Sequence, residues 1–284
     1  MQTILRSQSK TVVIDIAKPF VVIGEQINPT GRKKLAAALQ ERDFEYVKQL
    51  AVEQVGAGAD VLDVNVGVPG MDDVAMLPEV IQVVAGVTDV PICIDTPNPK
   101  ALAAALPVTP GRALVNSVNG EEAMLDAVLP LVKEYNAAVI GLTMDDSGIP
   151  NDPEKRLAIA EKIIERAARI GIPIEDVVID PLVMTVGADS KAGVITLETI
   201  RLVREKFGVN INLGASNVSF GLPDRQTINQ AFLALAMQMG ATCAITHPAK
   251  LCPTIRATDL LLGRDDYGSR YISYWRKHQP KEAG

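Results

Sequence analysis

The stretch ADVLDVNVG, residues 59–67, decides how the chain is read. It is a short apolar run whose alternate positions end in an acid and an amide, Asp63 and Asn65. Side chains two apart on a strand face the same way. Asp63 and Asn65 therefore share a side with Val61, and Leu62 and Val64 turn toward the helices. The pattern recurs along the chain in VIGEQIN (Glu25, Asn28), PICIDT (Asp95), ALVNS (Asn116) and VVIDP (Asp180). A further run, NINLGASN, continues to Asn217. Asp95 shares its side with Cys93, so the expected cavity is acidic, amide-rich and floored by small apolar side chains.

Hydrophobic period and turn punctuation predict strands near 20–24, 60–64, 91–95, 113–116, 137–141, 177–180, 211–214 and 242–246. Helical patterns fall near 32–57 (broken around Asp43), 72–86, 99–106, 121–135, 153–170, 194–206, 225–239 and 253–262. Eight strand-then-helix units with right-handed crossovers point to one α/β domain, a single (β/α)8 TIM barrel, with an open doubly wound sheet as competitor. The expected division is a short N-terminal cover over 1–18, the barrel over 19–264 and a C-terminal arm over 265–284 that frays at its end. The loop VMTVGADSKAG, 183–193, reads as a lid or as an ordinary exposed loop.

The 284 residues are 48% hydrophobic, enough for a full core. A net charge of −6 and the lack of a basic cluster interleaved with aromatics speak against nucleic acid. The three cysteines form no C-x-x-C pair, and with two histidines a zinc cage is not expected. Buried thiols fit a reducing cytoplasm, and no run suits a signal peptide or membrane span.

Polar strand ends often cap the following helix. Here caps stand further along: Asn98 before Pro99, Asn119 spaced with Glu122 as a capping-box pair, Asp152 before Pro153, and Asp224 ahead of the seventh helix. Asp95, Asn116 and Asp180 are thereby left for a ligand, and barrel enzymes draw their catalytic groups from such strand ends. Carboxylates and amides suit a neutral heterocycle carrying N–H donors and ring acceptors, such as an amino-pyrimidine. No P-loop or G-x-G-x-x-G opens a helix, and no lysine ends a strand for a Schiff base, Lys191 and Lys250 lying in the following loops. Magnesium on Glu25, Asp63 and Asp95 stays open at this point. Met237 and Met239 read as packing, His247 after the eighth strand reads as structural or as a ligand contact, and Asp145 and Asp146 either line the mouth or shape the turn at Ser147-Gly148.

Taken in order, GEQINPTGR, ADVLDVNVG, ICIDTPN, LVNSVNGE, VIGLTMDDSGIPNDPEKR, VIDPLV and GASNVSFGLPDRQTINQAFLALAMQMG resemble the methyltetrahydrofolate:corrinoid-protein methyltransferases and the folate barrel of cobalamin-dependent methionine synthase. The resemblance runs from about Phe20 to about Gly263. The related dihydropteroate synthases carry Ser-Arg-Lys and Asn-Val-Thr-Pro-type segments where this chain has Ser216-Asn217-Val218-Ser219 and Glu25-Gln26-Ile27-Asn28, which points toward methyl transfer. The resemblance implies that Asp95, Asn116 and Asp180 hydrogen-bond a pterin ring and that Asn217, the implied catalytic residue, reaches its N5. Asp63, Asn65 and Glu25 match motif positions near that pocket, and Arg225 is similar to an arginine at the folate-facing mouth.

By the same resemblance the substrate is tetrahydrofolate or 5-methyltetrahydrofolate, the cobalt belongs to a corrinoid protein partner, this chain holds no metal, and the assembly is a homodimer. No D-x-H-x-x-G corrinoid-binding segment occurs here. The expected activity, one-carbon transfer between folate and cobalt in either direction, competes with a magnesium-dependent barrel lyase or aldolase and with a non-catalytic folate-binding subunit.

Overall fold

The computed structural model describes residues 1–279. An antiparallel hairpin, β1 (Thr3–Arg6) and β2 (Thr11–Ile14), leads into a curled parallel sheet of seven strands. These are β3 (Val21–Ile27), β4 (Val61–Val64), β5 (Ile92–Asp95), β6 (Leu114–Asn119), β7 (Ala138–Leu142), β8 (Val177–Asp180) and β9 (Cys243–Thr246). Their order across the sheet is β8-β7-β6-β5-β4-β3-β9. Strands buried on both faces read as continuous apolar runs because helices cover the outside.

The expected strand at 211–214 is not a strand. The segment makes isolated parallel bridges, Ile211 to Ile179 and Gly214 to Ile245, between β8 and β9. The Ile211 N–H donates to the Thr242 hydroxyl at 2.9 Å. A ladder donor is thus spent on a side chain, and the even spacing of a parallel ladder is lost. Asn210 and Asn212 spend their amides on distant partners: Asn210 Nδ2 donates to Ile14 O at 2.8 Å and Asn212 Nδ2 to Asp180 Oδ2 at 2.8 Å.

The helices are α1 (Lys33–Gln40), α2 (Phe44–Gly56), α3 (Asp73–Ala85), α4 (Pro99–Ala105), α5 (Glu122–Glu134), α6 (Pro153–Arg169), α7 (Ala192–Phe207), α8 (Arg225–Met239), α9 (Pro248–Leu261) and α10 (Ser269–His278). The break at Asp43 is a real N-cap, its carboxylate accepting from Glu45 N at 3.2 Å. Asn98 and Asp152 cap as expected, accepting from Lys100 N and Lys155 N at 3.0 Å each.

The Asn119–Glu122 box does not form. Asn119 ends β6 and accepts from Glu121 N at 3.0 Å, while Glu122 pairs with Lys162 and Arg166 across to α6. Asp224 precedes α8 without a side-chain cap bond. The last barrel-layer helix starts at Pro248, earlier than 253, and the C-terminal arm is itself helical through α10, packed on α9. Residues 280–284, where fraying was expected, lie outside the described part.

Inside the sheet Val21, Ile23, Val61, Cys93, Leu114, Ala138, Ile140, Val178 and Cys243 pack with Leu5, Val12 and Ile14 of the hairpin. Leu62, Val64, Ile92, Ile94, Val115 and Val139 belong to the separate sheet–helix layer. The alternation therefore sorts side chains as the sequence predicts. The hairpin docks through Arg6, whose N–H and C=O bond Arg112 O at 3.0 Å and Arg112 N at 2.8 Å. Gly111 permits that approach: a Cβ there would stand 2.2 Å from Arg6 O.

Candidate active site

The carboxyl ends of the strands converge on a cavity of about 310 Å³ lined by Glu25, Asp63, Asp95, Asn116 and Asn217, with Asn28, Thr30, Arg32, Gly214, Ser216 and Ile245. Register explains the meeting: Asp63 lies opposite Cys93 and Asp95 opposite Asn116 on neighbouring strands. Asn116 Nδ2 donates to Asp63 Oδ1 at 3.2 Å, and Asn65 Nδ2 donates to Asp95 Oδ2 at 3.0 Å. Each amide keeps its carboxylate oriented, and Asn65 stands one hydrogen bond behind the lining.

Burial pushes the Asp63 carboxyl well above its ordinary range, and the neighbouring Asp95 charge adds to this. Asp95 is also raised by burial, but hydrogen bonds from Asn65 and from Asp63 oppose the rise. Two such groups do not both ionise. Each therefore holds its proton more tightly than an exposed aspartate does, Asp63 more so than Asp95. Glu25 is raised by burial, opposed chiefly by the Ser216 hydroxyl, which donates to its Oε2 at 3.3 Å.

Asn217 sits on the 3-10 turn Ala215–Ser219. Its side chain is exposed and hydrogen-bonds none of the described residues, which leaves its amide free for a ligand. Arg225 braces the turn, donating to Ser216 O at 2.8 Å and Ser219 Oγ at 3.1 Å. It lines a second cavity of about 140 Å³ that shares Glu25 and Ser216 with the first and includes Asn229, His247 and Lys250. His247, read as structural or as a ligand contact, thus faces a cavity; burial, then Lys250 and Arg32, lower its pKa and keep it neutral.

Asp180 does not line the strand-end cavity. It is 5% exposed, accepting from Asn212 Nδ2 and, at 2.8 Å, from Leu182 N. Burial pushes it up to about 6 against those bonds, the Arg156 charge and a bond from the Gly214 backbone.

Asn212 and Ser216 lay in quoted segments without a role, although Asn212 shares the period-two side of Asn210 and Gly214. Arg32, Thr30 and Asn28 lay in a quoted motif without a role. Asp145 turns back on its own loop, accepting from Ser147 N at 2.9 Å. Met237 is fully buried and Met239 packs against the core, as expected. The loop after β8 is stitched to the next one, Val186 N to Val218 O at 2.9 Å and Thr185 Oγ1 to Phe220 O at 2.7 Å. Among the described residues no three His, Cys, Asp or Glu side chains are grouped to hold a metal ion, and no helix is long and apolar enough to cross a membrane.

A polar cleft of carboxylates and amides at the strand ends of a TIM-like sheet stands where such folds carry their active sites. The sequence pattern of the pterin binding enzymes matches residues 24–247, and the chain belongs to that family. It is 32% identical over 266 residues to the methylcorrinoid:tetrahydrofolate methyltransferase of Eubacterium limosum, covering 91% of this chain and 97% of that one. It is 32% identical over 249 residues to methionine synthase of Mycobacterium tuberculosis, covering 83% of this chain but 21% of that much longer protein. Among solved structures, dihydropteroate synthase of Xanthomonas albilineans superposes with a TM-score of 0.70 at 21% identity, covering 93% of this chain and 98% of that one, which establishes the shared fold.

Proposed function

We propose that this chain is a methyltransferase that moves a methyl group between N5 of tetrahydrofolate and the cobalt of a corrinoid protein. The observation that carries the proposal is the convergence of Glu25, Asp63, Asp95, Asn116 and Asn217, from separate strands and one following turn, on a single cavity. The full-length similarity to a protein named for that reaction supports it.

Asp95 and Asn116, with Asp180 behind them, take the N–H donors and ring acceptors of the pterin's pyrimidine edge. Asp63 and Asn65 hold Asn116 and Asp95 in the required orientation through the bonds described. Glu25 and Arg225 fix the turn that carries Asn217, Glu25 through Ser216 and Arg225 through the turn's backbone and Ser219. Asn217 directs its amide to N5, where it both donates and accepts.

Toward folate, N5 forms a bond to the methyl carbon, the carbon–cobalt bond breaks with its electron pair left on cobalt, and N5 gives up its proton. Toward cobalt the same events run backward, and N5 needs a hydrogen bond to become a leaving group. A bond from Asn217 that strengthens as charge shifts at N5 lowers the barrier in both directions. The remaining work is holding two large reactants in line.

On this reading the segment 211–214 serves as the eighth stave of a closed (β/α)8 barrel spanning 19–264, under a cover over 1–18 and beside an arm over 265–284. The enzyme acts as a cytoplasmic homodimer that visits its corrinoid partner, and a sedimentation measurement giving a monomer removes the dimer from the scheme. The central test mixes the protein with methylcob(III)alamin and tetrahydrofolate and follows the cobalt spectrum. Folate-dependent loss of the methylcobalt band, unaffected by EDTA, is expected. Folate binding without turnover, even with a methylated corrinoid protein supplied, overturns the catalytic assignment. Loss of activity in chelator favours the magnesium-dependent lyase instead.

A further inference from the structure

Arg156 heads the fully buried side chains by size, 1% exposed, although it projects from α6 in the outer layer. It closes the motif VIGLTMDDSGIPNDPEKR, whose residues the methyl-transfer scheme does not use. A buried guanidinium is costly unless its donors are satisfied. Its bonds go to backbone carbonyls: Nε to Pro150 O at 2.7 Å, and Nη1 to Pro181 O at 2.6 Å and Leu182 O at 2.8 Å.

Two of those three carbonyls share an address. Pro181 and Leu182 directly follow Asp180, and Pro150 belongs to the loop after β7. Leu182 has φ of 60°, a left-handed conformation that bulky residues avoid and that persists only where surroundings enforce it. In that conformation its N–H reaches Asp180 Oδ1 at 2.8 Å. The guanidinium grips the carbonyl of the same residue.

We propose that Arg156 is a positioning residue for pterin recognition, clamping the Pro181–Leu182 turn so that the Asp180 carboxylate is held for the substrate's N–H donors. The ligand in this statement rests on the folate reading above, whereas the clamp does not. Several groups face Asp180: the Leu182 N–H from its own loop, the Asn212 amide and the Gly214 N–H from the next segment, the Cys243 thiol from β9, and Arg156 from α6. Burial and the Asp180 charge push the Cys243 thiol far up, so it stays neutral. Among these groups Arg156 alone brings a positive charge. Removing it takes away that charge and loosens the turn that aims the Leu182 N–H. Both changes make Asp180 hold its proton more tightly, and a protonated carboxyl accepts fewer bonds from a pyrimidine edge.

The test titrates carboxyl-labelled aspartates of the full, ligand-free chain by NMR and measures the folate KM and kcat across pH. In Arg156→Met the Asp180 midpoint, near 6 in the parent, is expected to move up by about one pH unit, the scale of losing a nearby opposite charge. KM for tetrahydrofolate is expected to rise roughly tenfold at neutral pH with kcat at saturation little changed. Arg156→Lys keeps a charge without the planar fork and is expected to raise KM with a smaller midpoint shift.

Leu182→Gly tolerates the left-handed turn without a clamp and is expected to recover part of the KM loss in either background. If Arg156→Met does not fold, Arg156→Lys with and without Leu182→Gly carries the same comparison. A lower melting temperature with midpoint and KM both unchanged overturns the proposal and leaves Arg156 a packing residue. A shifted midpoint in a protein whose parent binds no folate leaves the Arg156–Asp180 coupling standing and removes the pterin assignment.

Discussion

At the floor of the sheet the inward positions are Ile23, Val61, Cys93, Leu114 and Val178; two residues further along the same strands they are Glu25, Asp63, Asp95, Asn116 and Asp180. One step of the strand period separates a sealed apolar plug from a polar mouth. The floor is closed by Leu5, Val12 and Ile14 of the hairpin, all buried. The mouth instead buries carboxyl groups whose proton affinity is driven up by that burial. The difference teaches where each property resides: the floor stores stability, and the mouth gives some of it up to keep polar groups dry and aimed at a ligand.

The largest way to break this division is at the floor. Leu5→Ala is expected to cost about 2–5 kcal/mol of unfolding free energy in denaturant melts, while the folded fraction keeps its folate affinity. A comparable loss of affinity in the folded protein means the two ends are not separable. At the mouth, Asn217→Ala is expected to slow methyl transfer by about 10²–10³-fold in a stopped-flow assay, the scale of losing one transition-state hydrogen bond, with little effect on folate binding. Equal losses in rate and affinity show that Asn217 merely holds the ring. Asp180→Asn comes next, expected to weaken folate binding by about 1–3 kcal/mol by calorimetry; unchanged binding takes Asp180 out of recognition.

The smallest effect concerns pH and separates the two roles by sign. Asp180 is raised from 3.8 to about 6 in the folded, unliganded chain. A proton held more tightly by the folded state contributes stability that is complete below pH 3.8 and lost as pH rises through about 6. On the proposed recognition the pterin's donors use the ionised form, so folate affinity is expected to fall as pH drops below about 6. Stability and affinity therefore run in opposite directions across one window. Asp259, which accepts from Phe20 N and is likewise pushed up to about 6 by burial, adds its own slope to stability but none to affinity. Melts of Asp180→Asn against the parent at several pH values isolate the mouth: a flatter curve between pH 4 and 6 is expected, and an unaltered slope removes Asp180 from the linkage.

Most of the strand and helix order was legible because period two, period 3.6 and the Asn98-Pro99 and Asp152-Pro153 starts are local signals. Where a neighbour intervened, local reading failed. The run at 211–214 has the apolar rhythm of a strand, but Thr242 takes its backbone donor and Asp180 and the hairpin take its amides. Asn119 and Glu122 have capping-box spacing, yet Asn119 remains in β6 and Glu122 faces two cations of α6. The polar tips of β3, β4, β5 and β6 meet as the alternation predicted, whereas Asp180, at the tip of β8, is not among the residues lining that cavity.

The sequence by itself determined which side chains turn inward and which of them are polar, since both follow from the geometry of single strands. Only the tertiary structure decided how tightly the inward carboxyls hold their protons. That depends on Asp63 and Asp95 being brought side by side from adjacent strands and removed from water. It also decided what holds the turn after Asp180, because a guanidinium 25 residues earlier in the chain reaches Pro181 only once α6 has packed against the sheet.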